Sequence, residues 1–492
     1  MNECNINEIF SKMKEFPSEK DRKLIEKAYA FAEKAHKGQL RNSGEPYFVH
    51  VFNVGKLLAN YGMDAEIISA GLIHDTIEDT SVTEADIERE FGKDILFLVN
   101  RVTKLGKLKY RGEERHVESL KKFFMAVASD FRVLMIKLAD RLHNLRTLEH
   151  VRPEKQKRIA LESIEVYAPL ANRLGIGRLK GEIEDAAFPF AYPKEAEMVE
   201  KILKEKFVAS QAHLEQVEKI LLSELDKNNI KLFKIDHRLK HHYSLWRKLQ
   251  KYNMDIEKIY DIMALRVTVN SIEDCYRVLG LIHMIWKPLP GRIKDYIALP
   301  KTNGYQAIHT TIFSGDGGIV EIQIRTIEMH NRAEYGIASH ARYKDKTLSA
   351  KTAVDEHFVW SEKLRELEHT TVNDDNFLDS LKEDFFTNRI FIFTPKGAVI
   401  DLPEDSSPID FAYMIHTQIG NTCASAKVNG KIAPLSTKLK SGDIVEIITN
   451  KNTKPASKWL EYVKTNMAKK HINAHLKENS LLSRFLSFGS GK

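Results

Sequence analysis

Over the first two hundred residues, apolar positions recur three and four apart and strand-like alternation is nearly absent, which predicts successive amphipathic helices. Turn signals fall at Asn42-Ser43-Gly44, Tyr61-Gly62, Phe91-Gly92 and Arg152-Pro153. Asp64 is placed to cap one helix, Asp94 to begin another and Pro153 to occupy a first turn. In AGLIHDTIEDT, residues 70–80, Ala70, Ile73 and Ile77 form an apolar stripe. A continuous helix there puts His74, Asp75, Glu78 and Asp79 together on the other side. In LADRLHNLRTL, residues 138–148, Leu138, Leu142 and Leu145 face inward while Asp140, Asn144 and Thr147 share a different side. Residues 196–232 are charged and heptad-like and read as connecting helices. DHRLKHHYSLWRKLQK then reads as a basic helix from about Lys240, with Lys240, Ser244 and Lys248 on one face. The period changes to two in IYDIMALRVTV, residues 259–269, and in IVEIQIRT, residues 319–326, both expected to be strands. In the second, Val320, Ile322 and Ile324 take one face and Glu321, Gln323 and Arg325 the other. Residues 346–387 are polar and helix-like, with an acidic stretch NDDNFLDSLKED. Beyond them come short β segments, Pro-Lys-Gly and Val-Asn-Gly turns, one helix around Ser407–Gly420 and a basic helix KWLEYVKTNMAKKHINAHLKEN.

A chain of 492 residues exceeds what one core organises, and predicts about three domains. Its 75 basic and 68 acidic residues leave a net charge of +7, which favours anionic partners without naming them. Cys4, Cys275 and Cys423 are scattered and odd in number, giving no disulfide framework and no CxxC pair, as in a reducing compartment. The opening MNECNINEIF has no basic stretch followed by an apolar core, and no apolar run approaches the ~20 residues of a membrane helix. The expectation is a cytoplasmic chain without a membrane segment.

Four ionisable groups beside a buried stripe are costly unless something compensates them, and a divalent metal would. The plain alternative is a solvated acidic face. His50 and Asp140 can complete a set of His50, His74, Asp75 and Asp140, whose imidazole and carboxylate donors suit Mn²⁺ or Fe²⁺ better than structural zinc. A metal so held activates water for attack on a phosphate ester or anhydride. Glu78 and Asp79, one turn on, are then available to orient or deprotonate that water. In the middle third, Asp261 and Glu321 brought together on one sheet can hold Mg²⁺ against phosphates. Between them GRIKDYIALPKTNGYQAIHTTI supplies Arg292, Lys294, Lys301, Tyr305 and His309, which are cations for phosphates and a ring for a base. A solvated basic helix and an ordinary surface strand are the bland readings of these segments. No P-loop or kinase glycine motif is present, which argues against an ordinary ATPase or kinase fold.

AHKGQLRNSGEPYFVH, GLIHDTIEDT and KLADRLHNLRTL, in that order, resemble the hydrolase domain of the RelA/SpoT family, enzymes of the alarmone (p)ppGpp within the HD phosphohydrolase superfamily. The resemblance implies that Arg41 holds the nucleotide, that Glu78 and Asp79 serve the water, and that Asn144 and Thr147 contact substrate. Two positions depart from the family pattern: Asn42 stands where Lys is common, removing a positive charge beside the substrate, and Val51 where Pro is usual. The middle segments are similar to the synthetase domain of the same family. That similarity implies Arg238 and Arg266 stacked on the adenine of ATP, and Lys240, Ser244, Lys248 and Lys301 on its phosphates. It implies Asp261 and Glu321 on Mg²⁺, with Glu321 also the base on the acceptor 3′-hydroxyl. Tyr305 would stack on the guanine of GDP or GTP, His309 would contact its phosphates, and Lys294, Asn303 and Gln306 would belong to the same nucleotide site. Arg292-Ile293-Lys294-Asp295 matches the basic RxKD variant of bifunctional members. TPKG, the helix and LKSGDIVEI resemble a TGS domain, in which His416 matches a position that contacts uncharged tRNA on the ribosome; its bland reading is a helix-surface histidine.

The fold class expected from all this is multidomain α and α+β. Residues 1–196 form an all-helical HD hydrolase domain and 197–345 a mixed-sheet, nucleotidyltransferase-like synthetase domain with connecting helices. A helical linker covers 346–387, a β-grasp TGS domain 388–450, and the start of a helical region 451–492. The implied activities are a GTP pyrophosphokinase, making (p)ppGpp and AMP from ATP and GDP or GTP, and a Mn²⁺-dependent 3′-diphosphatase, together serving the stringent response. The alternatives are a hydrolase with an inert synthetase domain and a non-catalytic ribosome- and tRNA-binding nucleotide sensor. Opposed reactions on one chain waste ATP if both run, so ligand in one site is expected to disfavour the competent state of the other. Saturating GDP with a non-hydrolysable ATP analogue should therefore slow (p)ppGpp hydrolysis; an unchanged hydrolysis rate would count against the coupling.

Overall fold

The computed structural model describes residues 4–13, 17–106, 130–301, 303–315, 318–336 and 389–489. The chain divides into two compact units, residues 1–111 with 119–364 and residues 112–118 with 365–492. The helical linker expected at 346–387 lies outside the described residues. No helix among the described residues is long and apolar enough to cross a membrane.

The first unit begins as a helical bundle. Its centre is the helix Ala65–Ile73, AEIISAGLI, in which every residue but Glu66 is buried. Asp64 caps it, its carboxylate accepting from Ile67 N at 2.9 Å, a bond typically worth ~1 kcal/mol. The neighbouring helix Tyr47–Asn60 crosses it closely because both carry glycine at the contact. A Cβ on Gly71 would come within 2.2 Å of the Leu58 side chain, and one on Gly55 within 2.8 Å of Leu72. That approach brings the first turn of one helix, with His50, to the C-terminal end of the other, with His74. The stretch 70–80 is not the continuous helix its periodicity predicts. The helix ends at Ile73, and a separate turn, Thr76–Asp79, follows. Side chains take the carbonyls that would continue the ladder: His74 Nδ1 donates to Gly71 O at 2.8 Å and Thr76 Oγ1 to Ile73 O at 2.7 Å. The helix Phe131–Arg146 buries Leu138, Leu142 and Leu145 as expected, and Pro153 stands at the first turn of Pro153–Glu162.

Residues 196–232 are mostly one helix, Pro193–Lys227, 35 residues long. After it comes a five-stranded sheet ordered β1-β2-β5-β4-β3, with β1 Leu232–Leu239, β2 Met263–Val269, β3 Lys294–Asp295, β4 Ile308–Phe313 and β5 Ile319–Thr326. Strand β1 was not legible in the sequence, where its end reads as the approach to a basic helix; the helix itself is His242–Lys251. Pairing is antiparallel except between β2 and β5, which run parallel with Ala264 opposite Glu321 and Arg266 opposite Gln323. The apolar face, with Leu265, Val267, Ile322 and Ile324, packs on helices Pro193–Lys227 and Ile272–Ile285.

The second unit has a hairpin, β6 Arg389–Phe393 with β7 Val399–Pro403, and a sheet ordered β10-β8-β9 from β8 Cys423–Val428, β9 Lys431–Ala433 and β10 Val445–Thr449. Asn429 and Gly430, both at positive φ, make the tight β8–β9 turn that Val-Asn-Gly predicts. Two expectations need correction. The helix around Ser407–Gly420 is two, Pro408–Ile415 and Thr417–Asn421, broken at an extended His416 whose Nδ1 accepts from Gln418 N. The basic helix beginning at Lys458 starts only at Asn466, after a 3₁₀ turn Ser457–Glu461. The fully buried Asp410 causes that break by accepting from Lys464 N, Thr465 N and Thr465 Oγ1.

Within the first unit, Gly336 closes helix Ile327–Tyr335 at φ +55, and a Cβ there would stand 2.1 Å from Leu174 O. Both the backbone region and the contact demand glycine. Gly336→Ala should cost about 2 kcal/mol or more, read as a lower denaturation midpoint; an unchanged midpoint would show the junction to be loose.

Candidate active sites

The predicted ligands from the front third converge. One nitrogen each of His50 and His74 and one oxygen of Asp140 lie within 4.8 Å of one another, and all three residues are buried. Asp75 joins them: its two oxygens stand 3.5 Å from His50 Nε2 and 3.1 Å from His74 Nε2. His74 Nδ1–H is committed to Gly71 O, which turns the buried Nε2 toward Asp75; burial disfavours the imidazolium, but Asp75 and Asp140 outweigh it and push the His74 pKa up to about 9. A divalent cation would replace that proton and take the Nε2 lone pair together with the same carboxylates. The residues therefore fit a divalent metal.

Side chains the sequence analysis did not single out hold this set in place. His143 Nδ1 lies 2.9 Å from His50 Nδ1. Burial, with His50 and Arg41 adding to it, pushes the His143 pKa down to about 3, so His143 stays neutral and can accept from His50. This leaves His50 Nε2 facing the centre. Lys137 Nζ donates to Asp140 Oδ2 at 2.7 Å and Asn144 Nδ2 to Asp140 Oδ1 at 2.5 Å. Burial opposes the Asp140 charge, yet Lys137 and the two imidazoles hold its carboxyl far below the usual range. The Tyr47 hydroxyl lies 2.8 Å from Asp75 Oδ2 and 2.6 Å from Asp79 Oδ2, bridging the two carboxylates. Both His143 and Lys137 lie one helical turn from Asp140, a spacing that could have flagged them.

Next to the cluster is a cavity of about 210 Å³ lined by Arg41, Asn42, Ser43, Asp140, Asn144 and Thr147, with Lys137 and Arg141 as further cations. Arg41 spans it, Nη2 donating to Asn144 Oδ1 at 2.5 Å and Nη1 lying 3.3 Å from Thr147 Oγ1. Glu78 and Asp79 are exposed on the turn after the ligands.

In the sheet, one row runs across five strands: Asp236, Arg266, Gln323, His309 and Lys294 are successive partners on β1, β2, β5, β4 and β3. The polar side of β5 is not a solvent face. Gln323 is 3% and Arg325 2% exposed, covered in part by Glu334, which takes Arg325 Nη2 at 3.0 Å. Glu321 Oε1 accepts from Gln323 Nε2 at 2.9 Å and lies 3.2 Å from His309 Nδ1. Burial raises the Glu321 pKa, but His309 outweighs it and the carboxyl ends below its ordinary value. The charge of Asp261 opposes that fall. Asp261 precedes β2, and its Oδ2 accepts from Lys240 Nζ at 2.5 Å and Lys248 Nζ at 2.6 Å. Its Oδ1 is buried without a hydrogen-bond partner, an open position for a cation. Burial, with Lys248 nearby, brings Lys240 down to about 8 against the pull of Asp261.

Of the remaining predicted residues, Arg238 and Tyr305 reach Glu321 through Gln323 and His309, whereas Ser244, Asn303, Gln306 and Arg292 contact other partners. Arg238 Nη1 donates to Gln323 Oε1 at 3.1 Å. Arg266 lies 3.5 Å from Asp236 and 3.6 Å from Glu334. Lys301 Nζ stands 4.6 Å over the Tyr296 ring and 5.0 Å over Tyr305, whose hydroxyl is 2.9 Å from His309 Nε2. Ser244 turns toward Glu184 at 3.4 Å, Asn303 toward Asn172 at 3.4 Å and Gln306 toward Ile297 O at 3.3 Å. Arg292 lies over Tyr260, 5.3 Å from the ring centre. Asp295 of the RxKD stretch accepts from Ile297 N, Ala298 N and the Tyr276 hydroxyl, so it shapes the turn. His416 is exposed in the second unit.

Three families match in the expected order: an HD domain at residues 28–177, a region found in RelA/SpoT proteins at 237–348 and a TGS domain at 390–449. The chain is 46% identical over 466 residues to the guanosine-3′,5′-bis(diphosphate) 3′-pyrophosphohydrolase of Aquifex aeolicus, covering 94% of this chain and 66% of that protein. It is 44% identical to the GTP pyrophosphokinase of Myxococcus xanthus, over 93% of this chain and 61% of the relative. Against the bifunctional (p)ppGpp synthase/hydrolase SpoT of Escherichia coli the identity is 42%, over 92% and 65%. The chain thus spans somewhat under two thirds of these relatives' own length. With the three domains in order and this identity along nearly all of its length, the chain belongs to the RelA/SpoT family.

Proposed function

We propose that the protein is a cytoplasmic bifunctional alarmone enzyme, with the hydrolase in residues 1–196, the synthetase in 197–345 and a TGS domain in 388–450. The observation that carries this reading is that two separate polar centres gather the residues the two reactions call for: His50, His74, Asp75 and Asp140 converge in one, and Asp261 is paired with Lys240 and Lys248 in the other.

In the first centre we assign Mn²⁺, which when bound supplies charge against the 3′-pyrophosphate and an acidified water. Arg41, with Asn144 and Thr147, orients the nucleotide in the adjoining cavity. Glu78 and Asp79 orient that water and take its proton, and Tyr47 fixes Asp79 relative to Asp75. The product is GDP or GTP with pyrophosphate. Asn42 leaves one cation fewer beside the substrate than is common in the family.

In the second centre Mg²⁺ is assigned to Asp261 and Glu321, and when bound it neutralises triphosphate charge. Lys240, Lys248 and Lys301 bind phosphate oxygens of ATP while Arg238 and Arg266 flank its base. The two lysines already neutralise Asp261, so arrival of phosphate exchanges one set of charge partners for another rather than desolvating new charge. Tyr305 stacks on the acceptor guanine, and Glu321, oriented by His309 and Gln323, takes the 3′-hydroxyl proton for in-line transfer of pyrophosphate. Uncharged tRNA on a ribosome is the proposed partner of the TGS region through His416.

Two experiments test this. Nucleotide chromatography should find AMP and (p)ppGpp from ATP with GDP or GTP. Glu321→Gln should cut that rate by about 10²-fold or more while sparing hydrolysis; a parent making no tetra- or pentaphosphate would leave a hydrolase alone. Calorimetric titration of chelator-treated protein with Mn²⁺ should show one tight site that His74→Ala weakens by about 100-fold or more. Equal affinity in parent and variant would remove His74 from the ligand set.

A further inference from the structure

We infer that Asp185, on helix Gly177–Ala191, is a positioning residue for the synthetase centre, acting through helix His242–Lys251; this rests on the synthetase reading above. Helix Gly177–Ala191 belongs to the front bundle: Arg146, at the end of the Asp140 helix, donates to its Glu182 at 2.7 Å. Its other side meets the start of helix His242–Lys251, whose cap residue His241 makes no capping bond of its own. Asp185 takes that role from another part of the chain. Its Oδ1 accepts from Tyr243 N at 3.1 Å and its Oδ2 lies 2.7 Å from His241 Nδ1. His242 Nδ1 is 3.8 Å away. A carboxylate at a helix N-terminus satisfies an orphan N–H and complements the dipole.

The fit around this contact is close. A Cβ on Gly181, one turn before Asp185, would come within 2.2 Å of the His241 ring, so only glycine seats that ring. Phe188 lies 5.5 Å from Tyr243 and 5.4 Å from Trp246, and Tyr192 4.5 Å from Trp246, ring centre to ring centre. These contacts set the axial position and rotation of helix His242–Lys251. Two turns on, the same helix aims Lys248 at Asp261, and Lys240, just before it, is tied by its backbone N–H to Ile262 O at 2.9 Å. Asp185 touches neither centre, yet through this helix it sets where Lys248 stands. Burial opposes its charge, but His241 and His242 bring its pKa down to about 2, so it stays ionised around neutrality.

The test uses the full chain, with (p)ppGpp hydrolysis as an internal control. Asp185→Ala should raise the ATP KM of synthesis about tenfold, with kcat within about threefold and hydrolysis within about twofold of the parent. Asp185→Asn, which keeps the oxygen facing Tyr243 N, should recover most of the loss. In a Lys248→Ala background the Asp185→Ala change should add less than about twofold, because the two act in series. A parental ATP KM in Asp185→Ala, a parallel fall in hydrolysis, or full additivity with Lys248→Ala would each overturn the positioning role. A parent chain that makes no (p)ppGpp would instead overturn the synthetase reading itself.

Discussion

Each polar centre is built around a carboxylate that is taken out of water and kept ionised. Asp140 and Asp261 both pay desolvation, a cost of several kcal/mol for a lone ion, and both are held in place by cationic or imidazole neighbours. The way each debt is offset differs. Asp140 and Asp75 face imidazole nitrogens, groups that change from proton carrier to metal ligand without moving. Asp261 faces two ammonium groups, which cannot ligate a metal but bind phosphate. The first centre is therefore preorganised for a cation, and the second for an anion that brings its own cation.

That difference follows from how the backbone delivers the groups. In the bundle, the ligands come from three helices whose spacing is set by glycine contacts and by a helix that stops at Ile73, so the His74 and Asp75 side chains point into one small volume. Stopping the helix there costs ladder bonds, which His74 and Thr76 partly replace from their own side chains. In the sheet, the parallel pairing of β2 with β5 sets the row of residues that faces the nucleotide on the proposed reading. The polar face is buried enough that neighbouring side chains hydrogen-bond one another, as Arg238, Gln323, Glu321 and His309 do in sequence.

Helical periodicity and residue chemistry made the bundle and the convergence of His50, His74 and Asp140 legible, because each depends on local spacing. What stayed hidden depends on tertiary partners. The break at His74-Asp75 could not be read from a stripe that continues through Ile77. β1 looked like the approach to a basic helix because its pairing partner, β2, is some thirty residues away. Gln323 and Arg325 looked solvent-facing because alternation does not reveal what covers the second face of a sheet. His416 and the segment before Asn466 are helix breaks imposed by capping bonds, from His416 itself and from the distant Asp410, against favourable local propensity. Tyr47 and His143 support Asp75 and His50 from positions where an aromatic or histidine would ordinarily be core.

Helix Gly177–Ala191 has a mechanical role distinct from either chemistry. One turn of it accepts Arg146 from the Asp140 helix, and the next accepts the backbone of the lysine-bearing helix. Close-packed interiors do not absorb sub-ångström shifts by soft compression. The glycines at 177 and 181, with Gly175 and Gly336 beside them, leave no slack: added Cβ atoms would fall 2.1 to 3.0 Å from Leu174 O, Ala333 O, Asn303 O or the His241 ring. Any movement of Asn144 and Arg146 would thus have a direct mechanical path to Lys240 and Lys248, and to the backbone at Asn303 beside Lys301. On the proposed bifunctional reading two opposed reactions share one chain and need such a linkage, and stiffness at this junction, rather than flexibility, is the property that would let occupancy of one centre be felt in the other.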